Sequence, residues 1–126
     1  MSLYKVYRSA MYSITIYKEF YLDEHIKKVY IPMTETGFYI LLCLQKEMHG
    51  YSIVQNVESL TGKEVRLSPG TLYGSLSKME KDGLIRFVRE EEKRKLYIIT
   101  DLGRQVLANE AARIQRLYRN LKEAYR

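Results

Sequence analysis

Apolar positions fall into blocks whose period changes along the chain, and each change predicts an element. Thr34 or Thr36 can cap a helix whose apolar face is Phe38, Leu41, Leu42, Cys43 and Leu44, running to near Glu47. His49-Gly50 reads as a turn, with Gly50 free to adopt a left-handed conformation. Ile53, Val57 and Leu60 recur at helical spacing and predict a second helix over about Tyr51 to Leu60, with Gly62 at its C-terminal cap. Val65 and Leu67 flank Arg66 as in a short strand. Ser68-Pro69 then opens a third helix by two independent signals, a capping serine and a proline at the first helical position, and Leu72, Leu76 and Met79 form its buried face. Gly83 closes it. Ile85 and Phe87, then Leu96 and Ile98, alternate as a hairpin does, with Arg89 to Lys95 as its tip. Thr100 caps a last helix in which Leu107, Ala111, Ile114, Tyr118, Leu121 and Tyr125 recur at spacings of four and three. Such a stripe is a coiled-coil seam and predicts dimerisation, the competing reading being a helix packed back on its own domain.

Upstream of this pattern the period is lost. Met1 to Pro32 holds six of the twelve tyrosines (Tyr4, Tyr7, Tyr12, Tyr17, Tyr21 and Tyr30), and the alternation of Tyr12, Ile14 and Ile16 breaks at Phe20-Tyr21. Two readings stand: an aromatic-rich element packed on the main domain, or sequence upstream of a start at Met33.

The fold class is therefore mainly α with a small β part (α+β), a winged helix-turn-helix with a long C-terminal dimerisation helix. Its organisation reads as an N-terminal extension (1–32), a DNA-binding domain (33–99) and a dimerisation helix (100–126).

The 126 residues carry 21 Lys and Arg against 15 Asp and Glu, a net charge of +6 with a pI near 9.4. The charge is spread over all three segments, so a basic face must be assembled by folding. A hydrophobic fraction of 46% excludes disorder. The longest apolar run, Phe38 to Leu44, is far too short to span a membrane, and the first twenty residues are too broken by Tyr, Lys, Arg and Ser to form a secretion signal. With Cys43 alone, a cytoplasmic location is expected.

Opposite its buried face, the helix opened by Ser68 is expected to carry Thr71, Ser75 and Lys78, with Gly70 and Gly74 beside them. Small, hydroxylic and basic side chains suit a recognition helix in a major groove, whereas a plain solvated face carries Glu and Lys pairs more often. Lys93-Arg94-Lys95 would touch phosphate from the wing, although Glu90-Glu91-Glu92 precede them and the run also fits a solvated turn. Catalysis, a cofactor and a metal are not expected. His25 and His49 have no ligand-spaced partners, Ser68-Pro69 is a helix start, and Gly62-Lys63 lacks the upstream glycine of a phosphate loop because position 57 is Val.

The segments Phe38-Tyr39-Ile40-Leu41-Leu42, His49-Gly50-Tyr51-Ser52-Ile53, Leu67-Ser68-Pro69-Gly70-Thr71-Leu72-Tyr73 and Gly83-Leu84-Ile85, with Leu76, Met79-Glu80, Tyr97, Thr100 and Gly103, together resemble the PadR family of bacterial transcriptional regulators. The resemblance spans about Thr34 to Leu107. It implies a homodimeric repressor on an inverted-repeat operator, with the recognition helices in major grooves roughly 34 Å apart. It assigns Ser68, Gly70, Thr71, Tyr73 and Ser75 to the groove, and Lys78 and Tyr51 to the DNA backbone. It also implies a short-form member, whose flat, hydrophobic effector would bind between the terminal helices and release DNA. Some members clasp that effector with Trp. This chain has none, so Tyr118, Tyr125 and the N-terminal tyrosines would have to substitute. The alternative reading, from another class, is a winged-helix protein-interaction module without DNA function.

Overall fold

A computed structural model describes residues 23–126. Five helices and three short strands follow in the order α1 (Glu24–Tyr30), α2 (Glu35–Cys43), β1 (Met48–His49), α3 (Gly50–Leu60), α4 (Pro69–Lys81), β2 (Ile85–Glu91), β3 (Arg94–Ile99) and α5 (Asp101–Ala124). The expected helix starts hold because each is fixed by a local hydrogen bond. Thr34 Oγ1 accepts from the Gly37 amide, Ser68 Oγ from Thr71 and Thr100 Oγ1 from Gly103.

The strands form one antiparallel sheet in the order β1-β3-β2. Met48 pairs with Tyr97 and His49 with Leu96, while β2 and β3 run from Ile85↔Ile99 to Glu91↔Arg94 with a bulge between Phe87 and Arg89. Both strands continue into the expected tip, leaving a two-residue turn at Glu92-Lys93 with left-handed φ values of 49° and 64°.

Several local expectations are corrected. The third strand is Met48–His49, not Val65–Leu67. The Val65 amide is taken by Thr61 Oγ1 at 3.0 Å, and Leu67 is buried in the core. His49-Gly50 is not a turn: His49 caps α3, its Nδ1 accepting from the Ser52 amide at 3.3 Å, and Gly50 is the first helical residue. A Cβ at Gly50 would lie 3.0–3.1 Å from the Tyr73 ring, so the position is small for a close approach and not for a left-handed turn. Helix α2 stops at Cys43, four residues early, because the Leu44 carbonyl accepts from Ile99 at 2.8 Å instead of continuing the helical ladder. Leu60 is 63% exposed, Phe87 is 43% exposed, and β3 buries Leu96 and Ile99 while Ile98 is only half-buried.

The core is built from Ile40 and Leu41 of α2 with Leu44 at its C-terminal cap, Ile53 and Val57 of α3, Leu72, Leu76 and Met79 of α4, Leu84, Ile85, Ile99 and Val106. Ile26 and Tyr30 of α1, with Met33, belong to the same core, so α1 is packed on the main domain. The alternation at Tyr12, Ile14 and Ile16 lies outside the described residues. No helix among the described residues is long and apolar enough to cross a membrane.

Candidate nucleic-acid interface

Helix α4 has its buried face toward α2 and α3, and steps of 100° per residue decide what it turns outward. Directly opposite Leu72, Leu76 and Met79 stand Gly70, Gly74, Ser77 and Lys81, all exposed. Ser77 and Lys81 were absent from the expected set, although the same arithmetic applied to the sequence finds them. A Cβ at Gly70 or Gly74 would meet nothing within 4 Å, so neither glycine is required by internal packing. Ser68 and Thr71 are exposed at the helix start, with the Ser68 hydroxyl donating to Thr71 Oγ1 at 2.9 Å.

The expected contact residues divide between the two flanks of α4. On one flank, Tyr73 projects over Gly50 toward α3 and the wing. There a cleft of about 370 Å³ is lined by residues that include Tyr51, Tyr73, Ser77, Lys93, Arg94 and Lys95. The Arg94 guanidinium lies 5.6 Å from the Tyr51 ring centroid, a cation–π distance, with Nη1 3.4 Å from His49 Nε2. Tyr51 and Tyr73 are each more than half exposed, so the cleft presents their phenols and three cations to solvent, with Glu90 and the half-buried Tyr97 also in its lining. Of the acidic run, Glu91 is bridged by Arg89 at 2.9 Å, which also holds Glu47 at 2.6 Å, while the strand register sets Glu90 opposite Lys95 and Glu91 opposite Arg94.

Ser75 and Lys78 stand on the other flank and do not join this cleft. Ser75 is half-buried beside Val29 and Tyr30 of α1, and Lys78 Nζ lies 6.0 Å from the Tyr30 ring centroid. Asp82, at the C-terminal cap of α4, is held there as well. The Tyr30 hydroxyl donates to Oδ2 at 2.6 Å, and His25 Nε2 lies 3.0 Å from Oδ1. The Tyr30 hydrogen bond and the His25 contact hold the Asp82 carboxyl below its ordinary pKa, against the opposing effect of burial. Nothing in the sequence linked these positions, because the pairing is a product of how α1 packs.

Helix α5 carries the expected stripe. Leu107 and Ala111 are half-buried, whereas Ile114, Tyr118, Leu121 and Tyr125 are exposed, joined by Leu117, which the expected set lacked. An open apolar groove of about 460 Å³ lies between α2 and α5, lined among others by Phe38, Leu42, Leu107, Ala111 and Ile114. The groove's charged lining residue is Arg104. Buried elsewhere on α5 is Glu110, 3% exposed, whose Oε2 accepts from Arg113 Nε at 2.9 Å. That hydrogen bond holds the carboxyl below its ordinary pKa despite burial, helped by the Arg113 charge and the Met33 amide. No group of three or more His, Cys, Asp or Glu among the described residues could hold a metal ion.

Residues 40–109 match the Transcriptional regulator PadR-like family. An uncharacterized 37.1 kDa protein in transposon TN4556 of Streptomyces fradiae is 35% identical over 80 residues, covering 62% of this chain and 23% of that protein. Transcriptional regulator YqjI of Escherichia coli is 28% identical over 76 residues, 60% of this chain and 37% of that one. The chain thus spans less than two fifths of the length of these two curated relatives. Among solved structures, a transcriptional regulator from Clostridium thermocellum superposes with a TM-score of 0.63 at 24% identity, over 72% of this chain and 90% of that chain. Bacillus subtilis PadR in complex with operator DNA gives 0.53 at 27% identity, over 58% and 44% respectively.

Proposed function

Because the chain belongs to the Transcriptional regulator PadR-like family, a family of regulators and not of enzymes, we propose that it is a homodimeric repressor that reads an inverted-repeat operator through α4. The observation that carries this reading is the exposed face of α4. Two glycines that packing does not require, Gly70 and Gly74, stand there beside Ser77 and Lys81, next to the cationic cleft of Tyr51, Tyr73 and Arg94. A backbone free of side chains lets a helix approach base edges closely, while cations beside it neutralise phosphates. Lys93, Arg94 and Lys95 act as the wing's phosphate contacts, and Ser68, Thr71 and Tyr73 contribute from α4.

The dimer rests on the exposed stripe of α5, because a run of Ile114, Leu117, Tyr118, Leu121 and Tyr125 left in water is an apolar surface that a second copy would cover. The groove between α2 and α5 is continuous with that stripe at Leu107, Ala111 and Ile114. A flat hydrophobic effector bound there would shift the α5 pairing and, with it, the spacing of the two recognition helices.

Fluorescence anisotropy with a labelled fragment of the gene's own upstream DNA, at several salt concentrations, tests the reading. Tight, salt-sensitive binding that random DNA does not match is the expected result, and Arg94→Ala should flatten the log–log salt slope. Weak binding equal for both DNAs would instead favour a winged-helix protein-interaction module. Titration of aromatic compounds into the protein–DNA complex tests the effector, and no release by any of them counts against it.

A further inference from the structure

We infer that α1 is a second DNA-binding element, which carries Lys28 to the phosphate strand on the side of the recognition helix opposite the wing. This inference rests on the DNA-binding reading of α4 and adds an interaction surface outside residues 40–109, the stretch shared with the family. Helix α1 is attached to α4 itself. His25 and Tyr30 both bond Asp82, and Val29 and Tyr30 line the cleft that holds Ser75 and Lys78. Ile26 and Tyr30 point into the common core. Lys28 lies two residues from each of them, about 200° around the helix, and therefore faces away from the core. Helix α1 therefore borders α4 on the flank of Ser75 and Lys78, with Lys28 on its solvent side.

The dimensions fit duplex DNA. Packed helices lie about 8–10 Å apart. A major groove is about 12 Å wide, so a helix beside the one in the groove overlies the strand that borders it. The wing and Tyr51 occupy the other border. Charge agrees with this placement. Lys28 is exposed and has no ion-pair partner among the described residues, whereas Lys27 is engaged by Glu24 at 3.7 Å. Of the carboxylates that would oppose a phosphate here, Asp82 is turned into α1, with its side chain 11% exposed between His25 and Tyr30, and Glu24, exposed one turn before Lys28, is held by Lys27.

The test measures binding of the full chain to mixed-sequence duplex DNA over a range of salt concentrations, since phosphate contacts need no particular sequence. Lys28→Ala should reduce the magnitude of the log–log slope by about one per bound subunit without changing the melting temperature. Arg94→Ala, measured in parallel, separates two kinds of failure. A normal slope for Lys28→Ala beside a reduced slope for Arg94→Ala overturns the role of α1 and leaves the recognition-helix reading intact. A wild-type chain with no salt-sensitive binding overturns both. As a direct check, Lys28→Cys labelled with a photoactivated crosslinker should crosslink to DNA, since Cys43, the single native thiol, is buried. Absence of crosslinks at salt concentrations where the chain binds DNA likewise overturns the role of α1.

Discussion

The Tyr30 hydroxyl and the Asp82 carboxylate meet at 2.6 Å across 52 positions of sequence, tying α1 to the end of α4. The bond stabilises the ionised carboxylate, so the folded Asp82 pKa lies below the unfolded value. Its contribution is therefore present above roughly pH 4 and is lost as pH falls through the folded pKa. Tyr30 shifts the other way, mainly through burial and then through Asp82, and favours folding below roughly pH 10, with loss above it. Tyr30→Phe should lower stability by about 1 kcal/mol at neutral pH and should shallow the acid-side decline, read by urea unfolding at a series of pH values. An unchanged acid limb would show that Tyr30 does not hold Asp82.

Gly74→Ala should raise stability while weakening DNA binding. Alanine is better than glycine inside a helix by roughly 0.5–1 kcal/mol, and the added methyl meets nothing in the protein. If the position is small to admit DNA, the melting temperature rises and operator affinity falls. A gain in both would remove the argument that α4 approaches DNA through this glycine.

Gly103→Ala should destabilise the fold. A Cβ there would stand 2.1 Å from the Leu84 carbonyl oxygen and 2.7 Å from Ile99 Cγ1, so α5 would have to move off the hairpin. Overpacking of this kind costs about 1–3 kcal/mol, occasionally more, and thermal unfolding would register it. A wild-type melting temperature would mean that α5 is not held against Leu84.

Arg113→Ala should lower the melting temperature, because it removes the charged hydrogen-bond partner of a carboxylate that is almost fully buried. Glu110→Gln, which keeps the shape and removes the charge, should cost less when Arg113 is also absent. The four-member mutant cycle measures that coupling, and additive losses would show that the pair does not interact.

Leu121→Asp should abolish dimerisation without unfolding α5, since the residue is half exposed on the helix surface. Sedimentation at a concentration where the wild type is dimeric should find a monomer, and two-site operator binding should weaken accordingly. A dimer that survives both this change and Tyr118→Asp would place the interface elsewhere.

The legible parts of the chain are those governed by neighbours in sequence. Thr34, Ser68-Pro69 and Thr100 mark helix starts because each cap bonds an amide three residues on. The buried triad Leu72, Leu76 and Met79 follows from helical period alone, as does the α5 stripe. Errors fell where a residue's role is set by a distant partner. His49-Gly50 looks like a turn until β3 supplies the strand that pairs with it and Tyr73 the ring that crowds it. Helical period likewise does not show that Ser75, half-buried, and Lys78, exposed, share their flank of α4 with Val29 and Tyr30 of α1.

By itself, then, the sequence determined the order of helices and hairpin, the buried face of α4 and the stripe on the terminal helix, because periodicity and capping act within a few residues. Only the tertiary structure decided that the N-terminal helix belongs to the domain, that Asp82 is sheltered by Tyr30 and His25, and that Arg94 and Tyr51 share one cleft. Those relationships depend on hydrogen bonds and ring contacts between residues tens of positions apart, and no local pattern encodes which distant side chain will arrive.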